Sequence, residues 1–142
     1  MHERDIPEIL RIERLSFSSP WSASAFAQEL QKQYAFSRVA VLREKVVGYI
    51  CVNIIFDDCH ILNLAVHPDL RRHAVGTVLM EEALNRSKEK GCRFFYIEVR
   101  LSNSGARAFY ERFGFEVAGM RKQYYSAPIE DAVLMVLKDQ LG

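Results

Sequence analysis

The sequence has no excess of charge of either sign: 19 Lys and Arg stand against 18 Asp and Glu in 142 residues, a formal net charge of +1. A balance this even gives no global field to gather nucleic-acid phosphates or anionic lipid, so any bound anion must be held locally. Long hydrophobic runs are missing too. The longest, Val46 to Phe56, is about half the ~20 residues of a membrane span and is broken by Asn53, so it reads as a buried strand. Cysteines are few. Cys51, Cys59 and Cys92 are odd in number and widely spaced, which excludes a disulfide framework or a zinc site and leaves them as small core thiols. A Cys59 nucleophile would need an adjacent base, and although His60 follows it, neighbours on a strand point to opposite faces. The start, Met1-His2-Glu3-Arg4-Asp5, carries both signs of charge and no apolar h-region, so no secretory signal is read and the cytoplasm is the expected compartment. There is no internal repeat, low-complexity tract or Pro/Gly/Ser linker.

What remains is 49% apolar and 26% charged, the composition of one globular domain over residues 1–142, and neither disordered nor collagen-like. Hydrophobic periodicity divides it. Asp5-x-x-Glu8 resembles a capping box opening a helix with Pro7 in its first turn and Ile6, Ile9 and Leu10 on its apolar face, stopped by Ser18-Ser19-Pro20. A second helix follows from a Ser22 N-cap through Phe26 and Leu30, leaving an exposed Pro20-Trp21 turn between the two. Three strands are expected at 36–42, 46–56 and 60–66, joined by the charged turns 43–45 and 57–58. The run Ile61-Leu62-Asn63-Leu64-Ala65-Val66 scarcely alternates, as in a central strand covered on both faces. Then come a helix carrying Leu79, Met80, Ala83 and Leu84, a strand at 94–99, a short helix at 105–113 closed by Gly114, and strands near 115–124 and 132–137. The order ααβββαβαββ, with hairpins and one βαβ crossover, predicts an α/β sandwich around a mixed sheet.

The segment from Arg71 to Gly76 delivers two guanidiniums and an imidazole to the start of a helix, where free N–H groups and the dipole favour anions. It lacks the Gly-Lys-Ser/Thr of a Walker A loop and the glycines of a dinucleotide fingerprint. From pattern alone it is a phosphate cradle or simply a solvated basic turn.

Arg71-x-x-Ala74-x-Gly76 after a strand resembles the Gln/Arg-x-x-Gly-x-Gly/Ala signature of the GNAT superfamily of N-acetyltransferases. The resemblance extends over nearly the whole chain. Leu62-Asn63-Leu64-Ala65-Val66, Glu98-Val99-Arg100-Leu101-Ser102-Asn103, the segment from Ala108 to Phe115, and Arg121-x-x-Tyr124-Tyr125 with a later Glu130-Asp131-Ala132 are similar to its branch that acetylates the N-terminal alanine of a ribosomal protein. The resemblance implies a mixed, mostly antiparallel central sheet flanked by helices and splayed between its two central strands. It also implies acetyl-CoA as cosubstrate, held by Leu64, Ala65 and Val66 of the strand, by Arg71, Arg72, His73, Ala74, Val75, Gly76 and Thr77 of the loop, and by Asn103. The departure is Ala74 where the family usually has glycine, which matters if the position needs a positive φ.

Direct acetyl transfer to an amine makes three demands. The amine, an ammonium of pKa near ~8, must lose a proton. Glu98, on one strand face with Phe94 and Tyr96, is the candidate base; the alternative is a strand-end charge pairing with Arg100. The oxyanion needs a donor, which backbone N–H groups near Leu64, Ala65 and Val66 supply if the neighbouring strand splays away. The leaving thiolate needs a proton, for which the resemblance points to Tyr110, although Ala106, Phe109, Tyr110 and Phe113 also form a helical apolar stripe. Asn103 reads as a pantetheine contact, an ordinary N-cap, or both. Trp21, Tyr124 and Tyr125 resemble the walls of a peptide groove, with core packing as the alternative. The acceptor implied is the N-terminal peptide of a ribosomal protein; a lysine or small-amine acetyltransferase and a non-catalytic acyl-CoA-binding module are the alternatives. No metal, nucleic acid or membrane is expected as a partner.

Overall fold

The computed structural model describes residues 1–71 and 73–139. A short 3-10 turn leads into α1 (Ile6–Ser16) and α2 (Ala23–Gln31), followed by β1 (Ala35–Leu42), β2 (Lys45–Ile55), β3 (Asp58–Val66), α3 (Val75–Glu89), β4 (Phe94–Arg100), α4 (Ser104–Arg112), β5 (Glu116–Tyr125) and β6 (Glu130–Lys138). The expected element order holds.

Local signals account for most boundaries. Ser22 Oγ accepts from the Ala25 N–H at 3.1 Å and caps α2. The Asp5/Glu8 capping box does not form, because the chain already turns at Glu3–Asp5. Asp5 Oδ2 accepts instead from the His2 N–H at 2.8 Å, and Glu8 Oε2 accepts from the Val46 N–H at 2.8 Å, which fastens α1 to β2. Phe56, expected as the last residue of a strand, sits in the β2–β3 turn with φ 56° and is 94% exposed.

The six strands form one sheet in the order β1-β2-β3-β4-β6-β5, antiparallel everywhere except between β3 and β4. Alternation along β2 builds a core on each face. Ile50 and Val52 join Leu79 and Met80 of α3, Tyr110 of α4, and Phe95 and Ile97 of β4, while Tyr49 and Cys51 meet Ile9 and Ile12 of α1 and Phe26 of α2. Gly48 lets α3 lie close on the sheet, since a Cβ there would come within 3.1 Å of both the Ala65 carbonyl and Leu79. Among the described residues no helix is long and apolar enough to cross a membrane.

The strand buried on both faces is β2, not β3 as its apolar run suggested. Along β3, Cys59 and Ile61 belong to the α3/α4 core, yet so do Leu64 and Val66 further along, whereas Ala65 belongs to the α1/α2 core. Parity switches because Val52 pairs with Ile61 and Cys51 with Asn63, leaving Leu62 as the extra residue of a β-bulge. A bulge hides alternation, and Leu62 is 39% exposed. The parallel pairing of β3 with β4 runs from Asp58↔Phe94 only to Ile61↔Ile97 and stops at this bulge. Beyond it the two central strands splay.

All three thiols are buried. Desolvation pushes Cys51 up to about 12 and Cys59 up to about 11, and burial likewise raises the phenols of Tyr49 and Tyr110. At neutral pH these groups stay protonated and the thiols are inert. In the unfolded chain they release protons near their ordinary values, so at alkaline pH the unfolded state binds fewer protons than the native state and stability falls as pH rises. Melting temperature should therefore decline steadily between about pH 8 and pH 11 at constant ionic strength; a flat profile would contradict the buried, neutral state of these groups.

Candidate active site

The splay opens a cleft that passes through the sheet in three joined sections. The first, about 610 Å³, lies on the α3/α4 side and is lined by Leu64, Ala65, Val66, Arg71, Ala74, Gly76, Thr77, Asn103 and Tyr110 with their neighbours. A second, about 210 Å³, occupies the splay, where Leu64, Asn103, Ala106 and Tyr110 recur and Glu13 and Glu98 enter. The third, about 470 Å³, opens on the opposite face between Trp21, His60, Tyr96, Glu98, Arg121, Tyr124 and Tyr125.

At the first section Ala74 is the N-cap of α3. Its first backbone bond runs from the Val78 N–H to the Ala74 carbonyl at 3.1 Å, so Val75, Gly76 and Thr77 present N–H groups without helical partners at the positive end of the dipole. A Cβ on Gly76 would stand 3.5 Å from the Phe109 ring and 3.6 Å from Val66, filling a gap that glycine leaves open. Ala74 adopts φ 63° and ψ 13°, the left-handed conformation that only glycine takes without penalty. The Arg71 guanidinium is partly committed within the chain: Nε donates to the Val66 carbonyl at 3.2 Å and Nη2 to Ser16 Oγ at 3.0 Å, linking the end of β3 to α1. Two side chains expected at this site face elsewhere, because the turn into α3 points them away: Val75 packs into the α3/α4 core, and exposed His73 lines none of the three sections. Arg72 lies outside the described residues.

The backbone of β3 sorts its own donors. The His67 N–H reaches the Val47 carbonyl of β2 at 2.7 Å, and the Ala65 carbonyl lies against Gly48 of β2. The Val66 carbonyl, by contrast, points to Arg71. In a strand the N–H and C=O of one residue share a side and successive residues alternate, so Leu64 and Val66 direct N–H groups into the splay. Ala65, expected with them as an oxyanion donor, spends its backbone on β2 and contributes only a side chain.

Glu98 lies at the meeting of the second and third sections. Its Oε1 is 3.1 Å from Arg121 Nε, and its buried Oε2 has no hydrogen-bond partner. The expected alternative, pairing with Arg100, does not occur, because Arg100 is drawn the other way. Its guanidinium donates to the carbonyls of Ser126 and Pro128 at 3.1 and 3.0 Å, pairs with Glu130 at 3.3 Å and lies 4.5 Å from the centre of the Tyr125 ring. Glu130 in turn accepts from the Ser102 N–H at 2.5 Å, which ties the β5–β6 connection to the approach to α4.

Tyr110 packs in the α3/α4 core and also borders the cleft. It is 6% exposed, with Phe115 edge-on 5.8 Å away, and it also lines the first two sections. Burial raises its phenol from the ordinary value, so the proton is present at neutral pH. Asn103 is the N-cap of α4, its Oδ1 accepting from the Ala106 N–H at 3.1 Å, and it borders the same two sections. Across the sheet Trp21 packs on Phe26 at 5.1 Å while facing the third section. Tyr124 and Tyr125 meet edge to face at 5.1 Å and form the far wall. Burial first, then the nearby Glu98 carboxylate, pushes Tyr125 up to about 12 and raises Tyr124 as well.

Three features escaped sequence reasoning. Arg121 was visible only as part of a motif, and the stacking of His60 on Tyr96, 5.1 Å apart, depends on strand register. Glu13 is the third: it is 1% exposed and borders the splay. Its signal was a carboxylate falling in line with Ile6 and Ile9 on the apolar face of α1. Among the described residues no group of three or more His, Cys, Asp or Glu is placed to hold a metal ion.

Residues 6–115 match the model of the acetyltransferase (GNAT) family. The chain is 38% identical, over 95% of its length and 90% of the relative's, to a Bacillus subtilis (strain 168) protein provisionally named a ribosomal protein bS18-alanine N-acetyltransferase. It is 31% identical, over 94% of its length and 90% of the relative's, to the ribosomal protein bS18-alanine N-acetyltransferase of Escherichia coli (strain K12). The crystal structure of the ribosomal-protein-S18-alanine N-acetyltransferase from Escherichia coli matches with a TM-score of 0.90 at 30% identity, covering 100% of this chain and 93% of that one.

The left-handed conformation of Ala74 has a measurable cost. Replacing Ala74 with Gly removes the clash of Cβ with the backbone and should raise the unfolding free energy by about 1 kcal/mol. A urea midpoint that stays put or falls would show that residue 74 is not held at positive φ.

Proposed function

The chain belongs to the acetyltransferase (GNAT) family, and from that premise we propose that it transfers the acetyl group of acetyl-CoA directly to a protein N-terminus, the N-terminal alanine of a ribosomal protein being the acceptor. The observation that carries this reading is the cleft through the sheet, with unpartnered helix N–H groups at one end and a carboxylate among aromatic side chains at the other. The names of the relatives support the alanine and the ribosomal protein. The closure of the acceptor side supports a chain terminus: Ser19 Oγ donates to the Ser126 carbonyl at 3.1 Å, joining the α1–α2 loop to the β5–β6 connection. Walls that touch admit the end of a chain more readily than a chain lying across them.

The residues divide the work along the cleft. Acetyl-CoA supplies a thioester, a carbonyl open to attack with a thiol as leaving group. The gap at Gly76, the free amides of Val75, Gly76 and Thr77, and the Arg71 guanidinium fit its phosphates, and Asn103 and β3 border the path from there to the splay. An arriving α-ammonium meets Glu98, whose unpartnered Oε2 is the atom available to take its proton, directly or through water. The N–H groups of Leu64 and Val66 can donate to charge developing on the carbonyl oxygen. Tyr110, protonated at the junction of the first two sections, can donate to the departing sulfur.

The first test is acetyl-CoA turnover, followed as free-thiol release, with short Ala-starting peptides whose α-amine is free or blocked. Turnover should require the free α-amine. Turnover surviving on a blocked, lysine-containing peptide would move the acceptor to a side chain, and CoA binding without turnover would favour a binding module. Replacing Glu98 with Gln should then lower kcat/KM about a hundred-fold at neutral pH and much less at high pH, where the amine is already free. An equal loss at every pH would remove Glu98 from the role of base.

A further inference from the structure

Glu13 is buried, borders the splay, and has no part in the chemistry described above. Every hydrogen bond of its carboxylate reaches beyond α1. Oε2 accepts from the Trp21 N–H of the α1–α2 loop at 2.9 Å. Oε1 accepts from Asn63 Nδ2 of β3 at 2.7 Å and from the Tyr49 hydroxyl of β2. Asn63 is the residue immediately after the Leu62 bulge, on the half of β3 that has left β4. Trp21 is a wall of the acceptor section. One carboxylate therefore holds the acceptor wall, through a backbone N–H, to the strand segment whose amides face the reacting carbonyl.

We propose that Glu13 is a positioning residue for the acceptor, setting the distance between the Trp21 wall and the splayed half of β3. Among the described residues no cation pairs with it, and three neutral donors satisfy it instead. Such bonds are directional, and a buried carboxylate is expensive to leave short of donors, so the arrangement favours one geometry over its neighbours. An apolar residue at this point of the α1 stripe would bury as well but would leave the Trp21 amide and Asn63 without partners. The kinetic part of the claim rests on the acceptor site proposed above; the structural part does not.

Trp21 is the only tryptophan of the chain, so its fluorescence reports the acceptor wall directly. Glu13→Gln keeps the acceptor for the Trp21 N–H but turns an amide toward Asn63. It should make Trp21 more accessible to acrylamide with an unchanged far-UV circular dichroism spectrum. It should also raise the KM for an Ala-starting peptide about ten-fold while the acetyl-CoA dissociation constant moves less than about two-fold. Adding Asn63→Asp restores a donor–acceptor match, and the double variant should recover both quenching and KM to within about three-fold of the parent. If Glu13→Gln does not fold, Tyr49→Phe removes one donor and leaves the carboxylate, and should give the same changes in smaller degree. Quenching and KM unmoved in these variants, equal losses for peptide and acetyl-CoA, or no recovery on adding Asn63→Asp would each overturn the proposal. If the parent itself turns over no peptide, the acceptor reading fails instead, and the quenching series still decides whether Glu13 holds Trp21.

Discussion

The structure turns on one interrupted interaction, the pairing of β3 with β4. Four residue pairs in, at Ile61 and Ile97, the parallel ladder ends although both strands continue, β3 to Val66 and β4 to Arg100. A gap between central strands is costly, because N–H and C=O groups lose partners where the sheet is otherwise continuous. What is gained is an opening through the middle of the sheet, bordered by backbone donors that secondary structure has not consumed. Both the bulge at Leu62 and the early end of the ladder belong to the same few residues. The bulge re-aims β3 so that Leu64 and Val66 face the opening.

A splay is useful only if its sides are held. On the β4 side Arg100 does this with bonds to the Ser126 and Pro128 carbonyls and an ion pair with Glu130, while Glu130 reaches the Ser102 amide just before α4. On the β3 side Arg71 closes the end of the strand onto Ser16 of α1, and Glu13 gathers β2, β3 and the Trp21 loop. Polar clamps suit this purpose better than apolar contacts, since packing alone is non-directional and would collapse into the gap. The apolar cores on either face supply the bulk of the burial and leave the geometry of the opening to these few side chains.

Electrostatics follow the same division. With a net charge of +1 the chain has no long-range attraction for an anion, and the anion-favouring groups of the first section include the first turn of α3, Arg71 and Arg112. The opposite end carries the Glu98 carboxylate among aromatic rings, which favours a cationic amine. The two chemistries are kept on opposite faces of one sheet and meet only where the strands part.

The order of elements, the cap at Ser22, the anion-favouring start of α3, the N-cap at Asn103 and the apolar stripe bearing Tyr110 were legible in the sequence. Each depends on spacings of a few residues that local backbone geometry repeats faithfully. The motif resemblance added Glu98, Trp21, Tyr124 and Tyr125, and the fold brings these to one cleft. Tertiary structure alone decided that Glu98 takes Arg121 and not the nearer Arg100 as its partner, and that Ala65 spends its backbone on β2. It also decided that Ala74 is left-handed, that β3 bulges at Leu62, and which three donors Glu13 meets. Those outcomes depend on which distant segments meet, and a register change of one residue reverses the face of every side chain in a strand, so no local pattern in the chain encodes them.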